Sequence, residues 1–413
     1  MRVQAIWRVV GLTAICLIFP PCTLTVWGQD VGGDIGGGIF RPKNPETKKR
    51  TPKPATPVVK SSRSSSRTPR TPTGPSVADR VEELLEKGNT FRDERKFEEA
   101  EETYRGVFQI RPRDARAAYG LGNVFSDQQR WEDAEKSYRD AVQWSPKDVD
   151  ALVALSVTLV QPRAGSDNAR RFADAESTAR QAVQLDPKNA VAWDRLGVAL
   201  QARGLFNNET EHAYRRAVEL DPKFAVAYAH LARVLKRNGR ADEATPLYNR
   251  AIELAKDSAT LNLIAESLQA EQQWEASVPV LKTALQLDHR NLTSNFLLGR
   301  MLIVFKRYEE AESFLKTATE VGSQAFQPFN LLGRTYLALN RFAEAEVAYA
   351  RAADLASAGD RVQLAGAFGF EGVGDGYLKA KEKENAARAY QRALQLNPGN
   401  KGLEQKLAKA RSR

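Results

Sequence analysis

Few residues in this 413-residue chain are of types that carry out chemistry, and their spacing argues against it. Only three histidines occur, His212, His230 and His289, and no two stand at a helical metal-ligand spacing such as His-Glu-x-x-His. Gly372-Val373-Gly374-Asp375-Gly376 resembles a phosphate-cradling loop in outline. It follows no strand pattern, however, and close helix packing accounts better for its glycines. No Gly-x-x-x-x-Gly-Lys-Ser/Thr sequence is present. Carboxylate pairs such as Glu98-Glu99 and Glu309-Glu310 fall at the starts of helical patterns, where they face solvent. Both cysteines, Cys16 and Cys22, precede residue 29. Once that segment is removed, the chain has no thiol for a disulfide, a zinc site or a nucleophile. No catalytic residue, metal ligand or cofactor is expected, and the chain reads as a non-enzyme.

What the remaining residues do is repeat. A small residue recurs at Val107, Ala141, Ala182, Ala217, Ala251, Ala284, Ala318, Ala352 and Ala393, mostly 33 to 35 apart with two gaps of 41. Seven residues earlier stands a second small column, from Ala100, Ala134 and Ala175 to Ala386. A third column opens each repeat: Gly88, Gly122, Ser156, Gly197, Ala232, Ala265, Gly299, Gly333 and Gly374. Apolar residues at helical spacing make each repeat a pair of amphipathic helices. Antiparallel helices approach closely only where side chains are small, so these columns mark the crossing points. Tyr104, Tyr138, Tyr214, Tyr248, Tyr349 and Tyr390 fill the space beside them. Pro112, Pro146, Pro187, Pro222 and Pro398 end second helices, where proline cannot continue the ladder. One pair cannot bury both faces alone, so the pairs must stack.

This pattern resembles the tetratricopeptide repeat. Trp193-Asp194-Arg195-Leu196-Gly197 and Ala213-Tyr214-Arg215-Arg216-Ala217 through Asp221-Pro222 match its motif closely. Nine copies fit, at 81–114, 115–148, 149–189, 190–224, 225–257, 258–291, 292–325, 326–359 and 367–400. Repeat three carries about seven extra residues around Gln161 to Gly165, and seven more precede repeat nine. The resemblance implies an all-α solenoid, a right-handed superhelix of helix pairs over 78–400, that binds proteins or peptides. Lys401 to Arg413, with Leu403 and Leu407 four apart, is expected to be a helix capping the last apolar face.

In that family the first helix of each repeat lines a concave groove. Ligand contacts come mainly from its second, fifth, sixth, ninth, twelfth and thirteenth positions. Carried onto this sequence, the ninth position is Arg233 in repeat five, Arg300 in repeat seven and Arg334 in repeat eight, with Glu266 in repeat six. The fifth gives Asn262 and Asn330, each four residues before the ninth and so on the same face. Phe296, Leu297, Ile303, Val304, Leu331 and Leu337 are expected to supply apolar surface around them. Arginine forks and amides on such a floor suit an extended peptide with acidic groups or a free carboxylate. The family's carboxylate clamp is not expected in its usual place: repeat one has Asn89 but Leu85 where lysine is needed.

The two ends differ from this body. Arg2 and Arg8, an apolar run from Val9 to Phe19 and Val26-Trp27-Gly28 have the order of a secretory signal peptide over 1–28. The expected location is therefore exported (periplasmic, envelope or secreted), or membrane-anchored if the signal is retained. Residues 29–77 are rich in Gly, Pro, Ser, Lys and Arg, too polar to bury a core, and are expected to be a disordered arm. Residues 29–76 hold ten Lys/Arg against three acids, whereas 77–413 holds 49 against 48, so the formal charge of +10 resides mainly in the tail. The charge thus gives no ground for a specific nucleic-acid partner. An alternative role follows from it: a tether whose basic arm contacts anionic membrane or cell-wall polymer while the solenoid recruits a partner.

Overall fold

The structure, a computed structural model, describes residues 42–47, 76–161, 163 and 165–412. The expected signal peptide and most of the expected arm lie outside these residues. Among the described residues there are twenty helices and no strands, the all-α solenoid of helix pairs expected from the repeats. They form two compact blocks, each described by itself: residues 42–47 with 76–287, and residues 288–412.

In the first block α1 (Val77–Asp93) pairs with α2 (Phe97–Ile110), α3 (Ala115–Asp127) with α4 (Trp131–Trp144), and α5 (Val149–Leu159) with α6 (Asn168–Leu185). After these come α7 (Ala190–Ala202) with α8 (Asn208–Leu220), α9 (Ala225–Arg237) with α10 (Ala241–Leu254), and α11 (Ser258–Ala270) with α12 (Trp274–Leu287). The second block pairs α13 (Leu292–Val304) with α14 (Tyr308–Val321) and α15 (Phe326–Ala338) with α16 (Phe342–Leu355). The extra residues before repeat nine lie within and beyond a short helix, α17 (Ala358–Leu364). Then α18 (Phe370–Lys379) pairs with α19 (Lys383–Leu396), and α20 (Lys401–Arg411) packs on α19.

Local signals set the helix ends. Asp114, Asp148, Asn189, Asp257 and Asn291 cap first helices by accepting bonds from first-turn amides. Most links between the two helices of a repeat turn on one left-handed residue, such as Gly204 at φ 79° or Gln129 at φ 58°. The small columns do what their size allows. A Cβ on Gly88 would lie 2.8 Å from the Tyr104 ring, and one on Gly333 would lie 2.6 Å from that of Tyr349. Both tyrosines are fully buried at those crossings.

Within each block the second helix of one repeat packs on the first helix of the next, as α2 does on α3 and α14 on α15. First helices also meet one another, with α1 on α3, α5 on α7 and α9 on α11, and so form one side of the stack. On the other side runs a ladder of shared carboxylates. Glu101 takes Arg105 of its own helix at 2.7 Å and Arg130 of the next repeat at 3.1 Å. Glu211 takes Arg215 at 2.7 Å and Arg240 at 2.9 Å, and Glu312 takes Lys316 and Arg341, both at 2.6 Å. Glu135 binds Arg139 and Arg171, and Glu176 binds Arg180 and Arg203, in the same manner. Burial alone would push the Glu211 carboxyl up, but Arg215 and Arg240 hold it below the usual carboxylate range. In α10 the corresponding residue is Thr245. The seven-residue insertion of repeat three is held by Arg171, which donates to Thr158 O at 3.1 Å and to Gln161 O. Leu403 of α20 is buried and Leu407 half-buried, while Lys406 reaches Asp375 at 2.8 Å and Glu371 at 2.7 Å.

Candidate peptide-binding face

The first-helix side of the first block is occupied by part of the same chain. Six residues of the expected disordered arm, 42–47, lie along α1 and α3, so this stretch departs from the expectation for 29–77. Asn123 donates from Nδ2 to Lys43 O at 2.9 Å, and Asn89 donates likewise to Pro45 O at 3.0 Å. Arg92 Nη1 donates to Pro42 O at 2.8 Å and to Asn44 Oδ1 at 2.9 Å. Arg116 Nη1 reaches Glu46 O at 3.1 Å, and Asn44 Nδ2 donates to Asp93 at 2.9 Å. Pro42 and Pro45 are buried.

The donors are also held by side chains of the repeats themselves. Tyr104 donates its hydroxyl to Asn89 Oδ1 at 2.6 Å and Tyr138 donates to Asn123 Oδ1 at 2.9 Å. Each asparagine carbonyl is thus taken by its own repeat, which aims the amide hydrogens at the groove. Arg92, 1% exposed, is gripped on its other edge by Asp127 at 2.8 and 3.2 Å. Arg116 is held in the same way by both oxygens of Glu82, each at 3.0 Å. The register is consistent with an extended chain. Seven helical residues from Arg116 to Asn123 rise about 10 Å, and three extended residues from Lys43 to Glu46 span about 10 Å. The segment therefore runs antiparallel to α1 and α3. Asp150, next along this face, has its carboxyl pushed up by burial and pulled back by the Lys43 ammonium.

These contacts come from the ninth, twelfth and thirteenth positions of repeat one and the second and ninth of repeat two. They are the positions that the resemblance singled out, in repeats that the sequence reading passed over. Asn89 and Asn123, 34 residues apart, were the available signal.

The six residues named from the sequence divide between the blocks, two in the first and four in the second. In the first, Arg233 replaces asparagine at the ninth position of α9, and its buried Nε has no hydrogen-bond partner. The hydroxyl of Tyr248 from the paired helix is buried without a partner too. Asn262 is 6% exposed. In the second block, Arg300 lies 5.8 Å from the Phe296 ring, and Arg334 lies 5.1 Å from that of Phe368, which is 58% exposed. Burial pushes the Arg334 guanidinium down. Asn330 is half-buried on the same helix as Arg334. Phe296 departs from the expected apolar floor. It is 3% exposed, as is Leu297, because α13 is apolar almost all round and turns these side chains into the stack. Ile303, Val304 and Leu337 are half-buried. Among the described residues there is no cluster of three or more metal-ligating side chains, and no helix long and apolar enough to cross a membrane.

Comparison with known proteins agrees with this geometry. Tetratricopeptide repeat family models match residues 85–149, 213–245 and 327–358. A model described as anaphase-promoting complex, cyclosome, subunit 3 matches 237–318. No curated protein matches the sequence. Among solved structures, a thermophilic TPR protein of Thermus thermophilus is 21% identical, with 46% of this chain and 99% of that one covered at a TM-score of 0.39. MamA of Desulfovibrio magneticus is 17% identical, over 43% of this chain and 97% of that one, TM-score 0.38. Pseudomonas aeruginosa pilF is 15% identical, over 53% and 96%, TM-score 0.41. With its nine helix pairs among the described residues, its glycine and tyrosine crossings and the repeat-model matches over 85–149, 213–245 and 327–358, the chain is a tetratricopeptide-repeat family protein.

Proposed function

We propose that the protein is an exported scaffold that binds a partner protein through an extended segment laid on the first-helix faces of its repeats. The observation that carries this reading is the 42–47 segment, whose backbone is held on such a face by side chains at the family's contact positions. Arg233 in one block, and Arg300 and Arg334 in the other, stand at the ninth position that Asn89 and Asn123 hold, with Asn330 at the fifth. They favour a partner segment with acidic groups or a free carboxylate. Export rests on residues 1–28 alone.

The experiment is capture of a partner from the native host by the full chain, followed by affinity measurement with the R300E/R334E variant. A charge-assisted contact is worth roughly 1.5–3 kcal/mol, so reversal of two should weaken binding more than about tenfold. Helicity should be unchanged. Equal affinity with an intact fold would move the partner site off the second block's arginines.

A further inference from the structure

We propose that residues 42–47 are a built-in ligand of the groove between α1 and α3, and that this groove is specific for an extended Pro-x-Asn-Pro segment. The proposal rests on the reading of the first-helix face as peptide-binding, and it names the occupant and its effect. While the arm is seated, the groove of repeats one and two is closed to any other chain.

Three features make the fit particular. The carbonyls of Lys43 and Pro45, two residues apart, lie on one side of an extended chain and meet Asn123 and Asn89 of successive repeats. The prolines at 42 and 45 hold φ near its extended value and carry no N–H, so the buried backbone has fewer donors to satisfy and loses less freedom on seating. Asn44 is read by side chains on both of its amide atoms: Arg92 donates to Oδ1 and Asp93 accepts from Nδ2. That reciprocal pair selects an amide over a carboxylate, because Asp93 would repel an acid in its place. The Lys43 ammonium also draws down the Asp150 carboxyl that burial pushes up, an attraction that favours a basic residue at the second position. This ligand chemistry differs from the acidic segment proposed for the arginine-bearing repeats, so the two faces are distinguishable by peptide.

Trypsin supplies a direct readout on the full chain, since the Lys43–Asn44 bond is cleavable in free chain and lies within the seated segment. Cleavage at Lys43 should be slow in the wild type and roughly tenfold faster in N89A/N123A, which loses two hydrogen bonds to the segment. The N44A variant changes only the arm, leaves the repeats intact, and should accelerate the same cleavage. A second measurement uses a labelled peptide of residues 41–47. It should bind a full chain whose residues 42–47 are replaced by Gly and Ser at least about tenfold more tightly than it binds the wild type. Equal cleavage in wild type and N44A, or failure of the peptide to bind the replaced chain, would overturn the proposal. Either result would leave the partner affinity of R300E/R334E, and with it the broader reading, to stand or fall separately.

Discussion

Asp194 is the residue whose removal should cost the first block most. It is 0% exposed, with Oδ1 at 2.8 Å from His230 Nδ1 and Oδ2 at 2.7 Å from the Arg195 guanidinium, itself 2% exposed. Asp194 and Arg195 belong to α7 and His230 to α9, so the cluster joins repeats four and five. Burial alone would push the Asp194 carboxyl up; Arg195 and His230 outweigh it and hold the group below the usual carboxylate range. Truncation in D194A removes the carboxylate that Arg195 and His230 share, breaking a buried ion pair at a cost of about 3–5 kcal/mol. With an m-value of about 3 kcal/mol per molar urea, the midpoint of the transition that includes repeats four and five should fall by about 1–2 M. The double variant D194A/R195M should recover most of the loss, because replacing a buried ion pair by apolar residues removes the desolvation cost of both charges. The sign with pH follows from the depressed value. The aspartate's contribution is complete above the unfolded carboxylate value, about pH 4, and is lost as pH falls through the lower folded value. Urea titrations followed by circular dichroism, at neutral pH and at about pH 3, test all three points. A D194A midpoint unchanged at neutral pH, or a D194A/R195M variant no better than D194A, would refute the reasoning.

Two further outcomes are expected. Tyr349 buries a hydroxyl with no partner, whereas that of Tyr138 is bonded to Asn123. Y349F should therefore be neutral or stabilising by up to about 1 kcal/mol and Y138F destabilising by about 1 kcal/mol, as read from thermal melts. Mass spectrometry of the protein from its native host should find a chain beginning near Gln29; an intact Met1 on a cytoplasmic protein would contradict export.

The repeat architecture was legible because packing leaves its mark on residue size. Gly88, Gly122, Gly197, Gly333 and Gly374 each abut a tyrosine ring from the second helix, and no larger residue fits there. Periodicity could not separate groove from core on α13. Its Phe296, Leu297, Leu298, Met301 and Leu302 are all buried, and an apolar helix gives no polar edge from which to tell the sides apart. The seated arm was hidden for another reason. Its backbone is held through carbonyls, a group every residue carries, so composition said nothing of it. What identified the groove was on the receiving side: asparagines at the ninth position of two successive repeats, each with its carbonyl occupied by a tyrosine.

The ladder of shared glutamates also bears on how the stack comes apart. Each clasp belongs to two neighbours, so a repeat that loosens releases half the hold on the next, and unfolding runs inward from an end in steps. Between repeats five and six the clasp is absent, since Thr245 stands where Glu211 stands one repeat earlier. That joint depends on apolar packing alone at this position, and it gains nothing from low ionic strength while the four clasped joints before it do. Salt therefore levels the first block, weakening its clasped joints towards the strength of the bare one, so that in dilute buffer this block yields at one seam and in brine at many.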